Sequence, residues 1–273
     1  MGAPISGLAS GSRMTVALRT AFELPFEVTH PGRPFLSTGA SVDLILELKA
    51  GVARESVIDT LTSTVSLFAA LAGHGGLCGS RIHPGQSHLN LRTEVESAPG
   101  LVVFNLTECL VDDCALVVLC DLLLHRRHSG SLRRVACVDS GRETRLQEDS
   151  TSYSTYPDVY GALPFDLADE MPESGAYTFI AELAQPLNDV NASRLDAALK
   201  TWSRCVLSGG FALAPIPPEE NYVEPDDPFV TFDTTVEWTF FKHRAHPRSL
   251  SALVNVFAAF HYRFQAVQLL TIR

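Results

Sequence analysis

The sequence predicts an α+β protein in which one βαββαβ unit occurs twice, over residues 42–139 and again over 176–273. Each copy is expected to form a four-stranded antiparallel sheet with helices on one face. Three observations carry the prediction. The run Val42-Asp43-Leu44-Ile45-Leu46-Glu47-Leu48 has a counterpart in Tyr177-Thr178-Phe179-Ile180-Ala181-Glu182-Leu183, with Glu47 and Glu182 135 residues apart. The glycine pair Gly75-Gly76 returns as Gly209-Gly210, at a spacing of 134. Between strand and glycines each copy has a stripe of helical period: Val57, Leu61, Val65 and Phe68 in the first, Leu195, Leu199, Trp202 and Val206 in the second.

Taken in order, the first run is rich in branched residues and too short for an ordinary helix, so it reads as a strand. The striped segment is a helix, and the glycines follow its last periodic residue, where a cap with positive φ is expected. A short strand should come next. A third strand at Leu101 to Thr107 maps onto Thr235 to Phe241, and a second helix near Asp112 to His128 maps onto Pro247 to Tyr262. That helix starts on Asp112 and Asp113 and ends on Arg126, Arg127 and His128, complementing its dipole; His125 and His128 are thus surface and capping residues. Arg134 to Val138 and Gln268 to Ile272 complete the copies. The order strand, helix, strand, strand, helix, strand resembles a tandem ferredoxin-like protein over most of the chain, and implies that fold only.

Outside the copies lie an N-terminal arm, residues 1–41, whose stretch Thr15 to Thr29 alternates enough to add an edge strand, and a linker, residues 140–175. The linker has two basic and eight acidic residues and so holds most of the net charge of −10. Phosphate backbones need clustered Lys and Arg, so nucleic acid is not an expected partner. No apolar run reaches the roughly 18 residues of a membrane span, since Cys114 to Leu124 is broken by Asp121, and the first residues lack a signal-peptide pattern. A cytoplasmic protein is expected. Its six cysteines, with no CxxC, read as small buried hydrophobes in a reducing compartment.

Two functional readings follow. In the leading one, the chain is an acidic binding or regulatory protein that holds a protein partner with a basic surface and restrains it, if it is an enzyme. The contact residues would be Tyr153, Tyr156, Tyr160, Asp166, Asp169 and Glu170 of the linker, rings supplying area and carboxylates steering. In the alternative, the chain is an enzyme or small-molecule binder. If the helix-free sheet faces packed together, Glu47 and Glu182 would share one cleft, where paired carboxylates split into acid and base, with Glu237 on the third strand of the second copy and His243 as a base near the rim.

No cofactor is expected. His74, Cys78, His83 and His88 along the glycine-rich stretch have spacings that could converge on zinc, but the matching segment of the second copy keeps the glycines without the histidines. Glu219, Glu220, Glu224, Asp226 and Asp227 lack the DxDxDG order of a calcium loop.

Overall fold

A computed structural model describes residues 25–29, 36–95, 100–124, 129–139, 156–169, 176–212, 224–225, 229–241 and 245–273. The fold is α+β, with two mixed sheets and four helices. The first sheet has the order β1-β5-β2-β4-β3, from β1 (Glu27–Thr29), β2 (Val42–Leu48), β3 (His88–Val95), β4 (Leu101–Leu110) and β5 (Leu132–Asp139). The second runs β6-β11-β7-β10-β8, from β6 (Asp166–Asp169), β7 (Tyr177–Leu183), β8 (Glu224–Pro225), β10 (Thr235–Phe241) and β11 (Val267–Ile272), with β9 (Val230–Phe232) also on β10. The helices are α1 (Ile58–Gly73), α2 (Ala115–Leu124), α3 (Asp189–Leu207) and α4 (Arg248–Arg263).

Neither sheet is the four-stranded antiparallel one expected. β1 joins β5 in parallel, and β6 joins β11 in parallel at the equivalent place. The segment ahead of each half thereby covers an edge whose N–H and C=O groups would otherwise stay open.

Alternation decides which face each sheet buries. Val42, Leu44, Leu46 and Leu48 of β2 are buried, as are Phe179, Ala181 and Leu183 of β7 and Val236, Trp238 and Phe240 of β10. These faces pack on the helices, and the halves then meet helix on helix, α1 against α3. α4 is buried from Ser249 through Phe260, and α2 on nearly every side. A helix with no solvated face has a neighbour all round, here its own sheet and the other half. The four helices therefore lie between the two sheets.

The glycine pairs make the close approach. Gly75, at φ 85°, abuts α4, where any Cβ would collide with that of Ala259. Gly209 has φ 86°, and a Cβ on Gly210 would lie 3.3 Å from Leu122 of α2. Each half thus presents its glycine turn to the second helix of the other.

Residues 156–169 strap the seam. The Tyr156 hydroxyl bridges the Asp121 carboxylate of α2 and the Ala212 carbonyl, 2.8 Å from the latter. Tyr160 N donates to Asn255 Oδ1 at 2.8 Å, and Asn255 Nδ2 donates to Asp158 O at 2.9 Å. Gly161 N donates to Ser80 O at 3.2 Å, so the strap bonds to both halves. No helix among the described residues is long and apolar enough to cross a membrane.

Candidate functional site

With the helices inside, the two helix-free faces point away from each other, and they differ. The first presents Asp43, Ile45 and Glu47 of β2 beside Val103 and Asn105 of β4 and Arg134 and Ala136 of β5. Its carboxylates are answered locally. Asn105 Nδ2 donates to Asp43 Oδ1 at 2.8 Å, and Arg133 Nη1 to Glu47 Oε1 at 2.9 Å. Arg134 Nε lies 3.1 Å from Glu47 Oε2, an ion pair without hydrogen-bond alignment.

The second face is built from Thr178, Ile180 and Glu182 of β7, Thr235, Glu237, Thr239 and Phe241 of β10, Val230 and Phe232 of β9, Leu269 and Thr271 of β11, and Asp166 and Ala168 of β6. Opposite residues in register share a face, so the cross-strand pairs assemble this list directly. Val230 is 48%, Phe232 62% and Phe241 42% exposed, three of the seven large hydrophobics left in solvent among the described residues. The same face carries three carboxylates: Glu237, paired across to Val230, Glu182 one strand further on, and Asp166 on the far edge strand β6. Arg273, backbone-paired with Thr178, is the one basic residue among the described members of this face. Exposed apolar side chains rimmed by polar and charged residues are the usual make-up of a contact surface.

No family model matches the chain, and no curated protein matches its sequence. Among solved structures it is similar to a Cas6 (TTHB231) product complex, at 16% identity and a TM-score of 0.17, over 81% of this chain and 92% of that one. A likeness this slight carries no argument about function.

The structure separates the residues that the paired-carboxylate reading joined. Glu47 and Glu182 lie on opposite outer faces with the helices between, and the space meant for a pocket between sheets is filled by apolar helix packing. The carboxylates that do become neighbours are Glu182 and Glu237, diagonal across β7 and β10, which strand geometry puts roughly 7–8 Å apart. His243, Tyr153 and Glu170 lie outside the described residues.

The remaining linker residues divide. Tyr156 is buried in the seam, its ring 5.4 Å from that of Phe211 and 4.8 Å from that of His246, so it holds the halves together and offers nothing to a partner. Tyr160 is half-buried beside His83. Asp166 lies on the second outer face. Asp169 ends β6 near Tyr177, whose phenol is pushed up in pKa by burial and secondarily by that carboxylate.

The four candidate zinc ligands go separate ways. His83 Nδ1 accepts from Gly85 N at 3.2 Å, capping a short helix at Pro84–Gln86, and its ring packs on Tyr262 at 4.2 Å. His88 reaches toward Glu108, with 3.8 Å between Nε2 and Oε2. Burial, then Arg263, lowers the pKa of His74, while burial and then Asp112 push the Cys78 thiol far above its ordinary range. A thiol so held is a poor metal ligand. Among the described residues no group of His, Cys, Asp and Glu is arranged to hold a metal.

What fixes this loop is an arginine that the sequence reading passed over. Arg263, in the last turn of α4, donates to the carbonyls of Gly73, Pro84, Gly85 and Ser87. The planar fork of guanidinium donors can meet four acceptors at once, which a lysine cannot.

Val230, Phe232 and Phe241 were also passed over. Phe229 to Phe232 is a short apolar run directly before a strand, a signal masked by the prolines and acids preceding it.

Proposed function

We propose that the chain is a tandem duplication of a ferredoxin-like unit kept as a binding protein, which holds a protein partner with a basic surface against the outer face of its second sheet. The duplication is supported by the shared core order, β5-β2-β4-β3 and β11-β7-β10-β8, by the matching parallel edge strands, and by the reciprocal packing of the glycine pairs.

One observation carries the binding reading. The second face leaves Val230 and Phe232 in solvent beside Glu237 and Glu182, with Phe241 and Asp166 further out on the same face, whereas on the first face Asn105 holds the Asp43 carboxylate and Arg133 and Arg134 pair with Glu47. Apolar anchors supply affinity once water leaves, and the acids speed encounter with a basic surface. An enzyme acting on an anionic substrate has such a surface around its active site, so the same contact would restrain it.

The test is purification of the tagged chain from its own host, as wild type, Phe232→Asp, Glu237→Lys and Asp43→Asn. A protein held in fixed ratio by wild type and Asp43→Asn, and lost from the two second-face variants, is the expected result. A complex that survives both second-face variants, or fails only with Asp43→Asn, would refute the assignment of the face.

A further inference from the structure

Sheet edges accept new strands only where backbone groups point outward, and the register of β10 fixes where that happens. Leu183 N donates to Thr234 O at 2.8 Å, so Thr234 and, by alternation, Val236, Trp238 and Phe240 direct their backbone groups to β7. Thr235 and Glu237 direct theirs to β9, where they face Phe232 and Val230. Thr231, opposite Val236, belongs to the other phase, and its N–H and C=O point away from β10.

β9 is an edge of an unusual kind. Among the described residues it pairs with β10 alone, and Val230, Thr231 and Phe232 are all exposed. Exposed edges are ordinarily guarded by charge or proline. β3, the edge of the first sheet, shows Asn90 and Arg92 to solvent, and β6 shows Asp166 and Asp169, but β9 consists of three good strand formers with no charge. The two-residue turn that closes it puts Asp233 at φ 50°, a left-handed conformation that a non-glycine residue seldom adopts. That turn holds β9 flush on β10, and among the described residues no strand pairs with its far side.

Resting on the binding reading above, we infer that the partner docks by adding an extended strand to the open edge of β9, with lysine or arginine side chains alternating on the outer face. The backbone of Thr231 supplies the donor and the acceptor. Side chains of the incoming strand that project to the outer face fall beside Val230 and Phe232. A lysine or arginine there lays its aliphatic stem on the Phe232 ring and carries its cation toward Glu237, using both features of the face at once. Main-chain pairing gives affinity and the alternate side chains give selectivity, as in strand addition generally.

The probe is an acetylated, amidated eight-residue peptide alternating lysine and valine, compared with two versions N-methylated at alternate backbone nitrogens, one in each phase. Binding is followed by amide NMR in about 150 mM salt, where long-range charge attraction is largely screened. We expect saturable binding, exchange of the Thr231 amide slowed at saturation, and a loss of roughly tenfold or more in affinity for one methylated phase and for Thr231→Pro, with Thr231→Ala close to wild type. Proline at this position removes only the outward donor, so the ladder to β10 keeps its bonds. If both methylated peptides and Thr231→Pro bind like the parent while Phe232→Asp abolishes binding, strand addition is wrong and face docking stands. Binding indifferent to Phe232→Asp as well removes both. Failure of the parent peptide to bind at millimolar concentration removes strand addition, and the co-purification experiment then decides the face alone.

Discussion

Tyr156 and Asp121 meet in the seam between the halves, the tyrosine from the segment joining them and the aspartate from the buried length of α2. Asp121 is 1% exposed and Tyr156 9%, so the hydroxyl is a donor that water cannot easily replace. Tyr156→Phe keeps the ring against Phe211 and His246 and deletes only that group. It should lower stability by roughly 1–3 kcal/mol, read from the midpoint of urea unfolding at constant slope. A loss too small to measure would mean that the carboxylate does not depend on this bond.

Arg263 ties α4 to the glycine-rich loop of the other half. Arg263→Lys should not rescue the loop, since three donors on one point cannot reach carbonyls spread over Gly73, Pro84, Gly85 and Ser87. Both Arg263→Lys and Arg263→Met should cost roughly 2–4 kcal/mol and speed amide exchange across residues 73–88 more than across β7 and β10. Equal acceleration everywhere would point to global unfolding in place of loop release.

Two histidines make stability depend on pH. Burial lowers the pKa of His246, and burial with the nearby Arg263 lowers that of His74. Both stay neutral in the folded chain at pH values where the unfolded chain has begun to protonate them near 6.5. Below that point the unfolded state binds more protons, so their contribution is complete above about pH 6.5 and is lost as the pH falls through the lowered folded values. Unfolding midpoints should therefore drop between about pH 7 and 5, and His74→Gln with His246→Gln should flatten that drop. An unchanged slope in the double variant would show that other groups govern it.

The thiols should be inert in the native state. Burial pushes Cys109 and Cys137 up to about 12 and raises Cys78 and Cys120 well above the ordinary thiol range as well. Cys205 is buried as well, and Cys114 alone is half-exposed. Alkylation near neutral pH should modify Cys114 first and the others only as the chain unfolds. Rapid native labelling of Cys109 or Cys137 would contradict the burial described for them.

Much of the fold was legible because strands and helices declare themselves through period. β7 and β10 fall where alternation places them, and α4 begins one residue after Pro247. The stacking of the halves was not, because alternation says which side of a strand is dry and not which element dries it. Val254, Val256, Phe257, Ala258 and Ala259 wrap right round α4, interrupted only by small or amide side chains such as Ser251 and Asn255, and that nearly continuous apolar surface was the clue that helices, and not open sheets, lie at the centre. The linker misled for a related reason. Its tyrosines and acids read as a solvated surface, yet Tyr156, Val159 and Phe165 are buried and β6 completes a sheet, roles that depend on contacts from residues far along the chain. On the second outer face, Glu182 and Glu237 were singled out, but their company with Phe232 and Val230 follows from a hairpin register that charge and period do not reveal.

The most direct test of the central claim is hydrogen exchange of the whole chain, alone and in complex with any protein that co-purifies with it in fixed ratio. Protection gained over residues 230–241 and 177–183, with residues 42–48 and 101–110 unchanged, is the predicted result. Protection that instead gathers on β2 and β4, or in the seam around residues 156–165, would place the partner elsewhere and contradict the account.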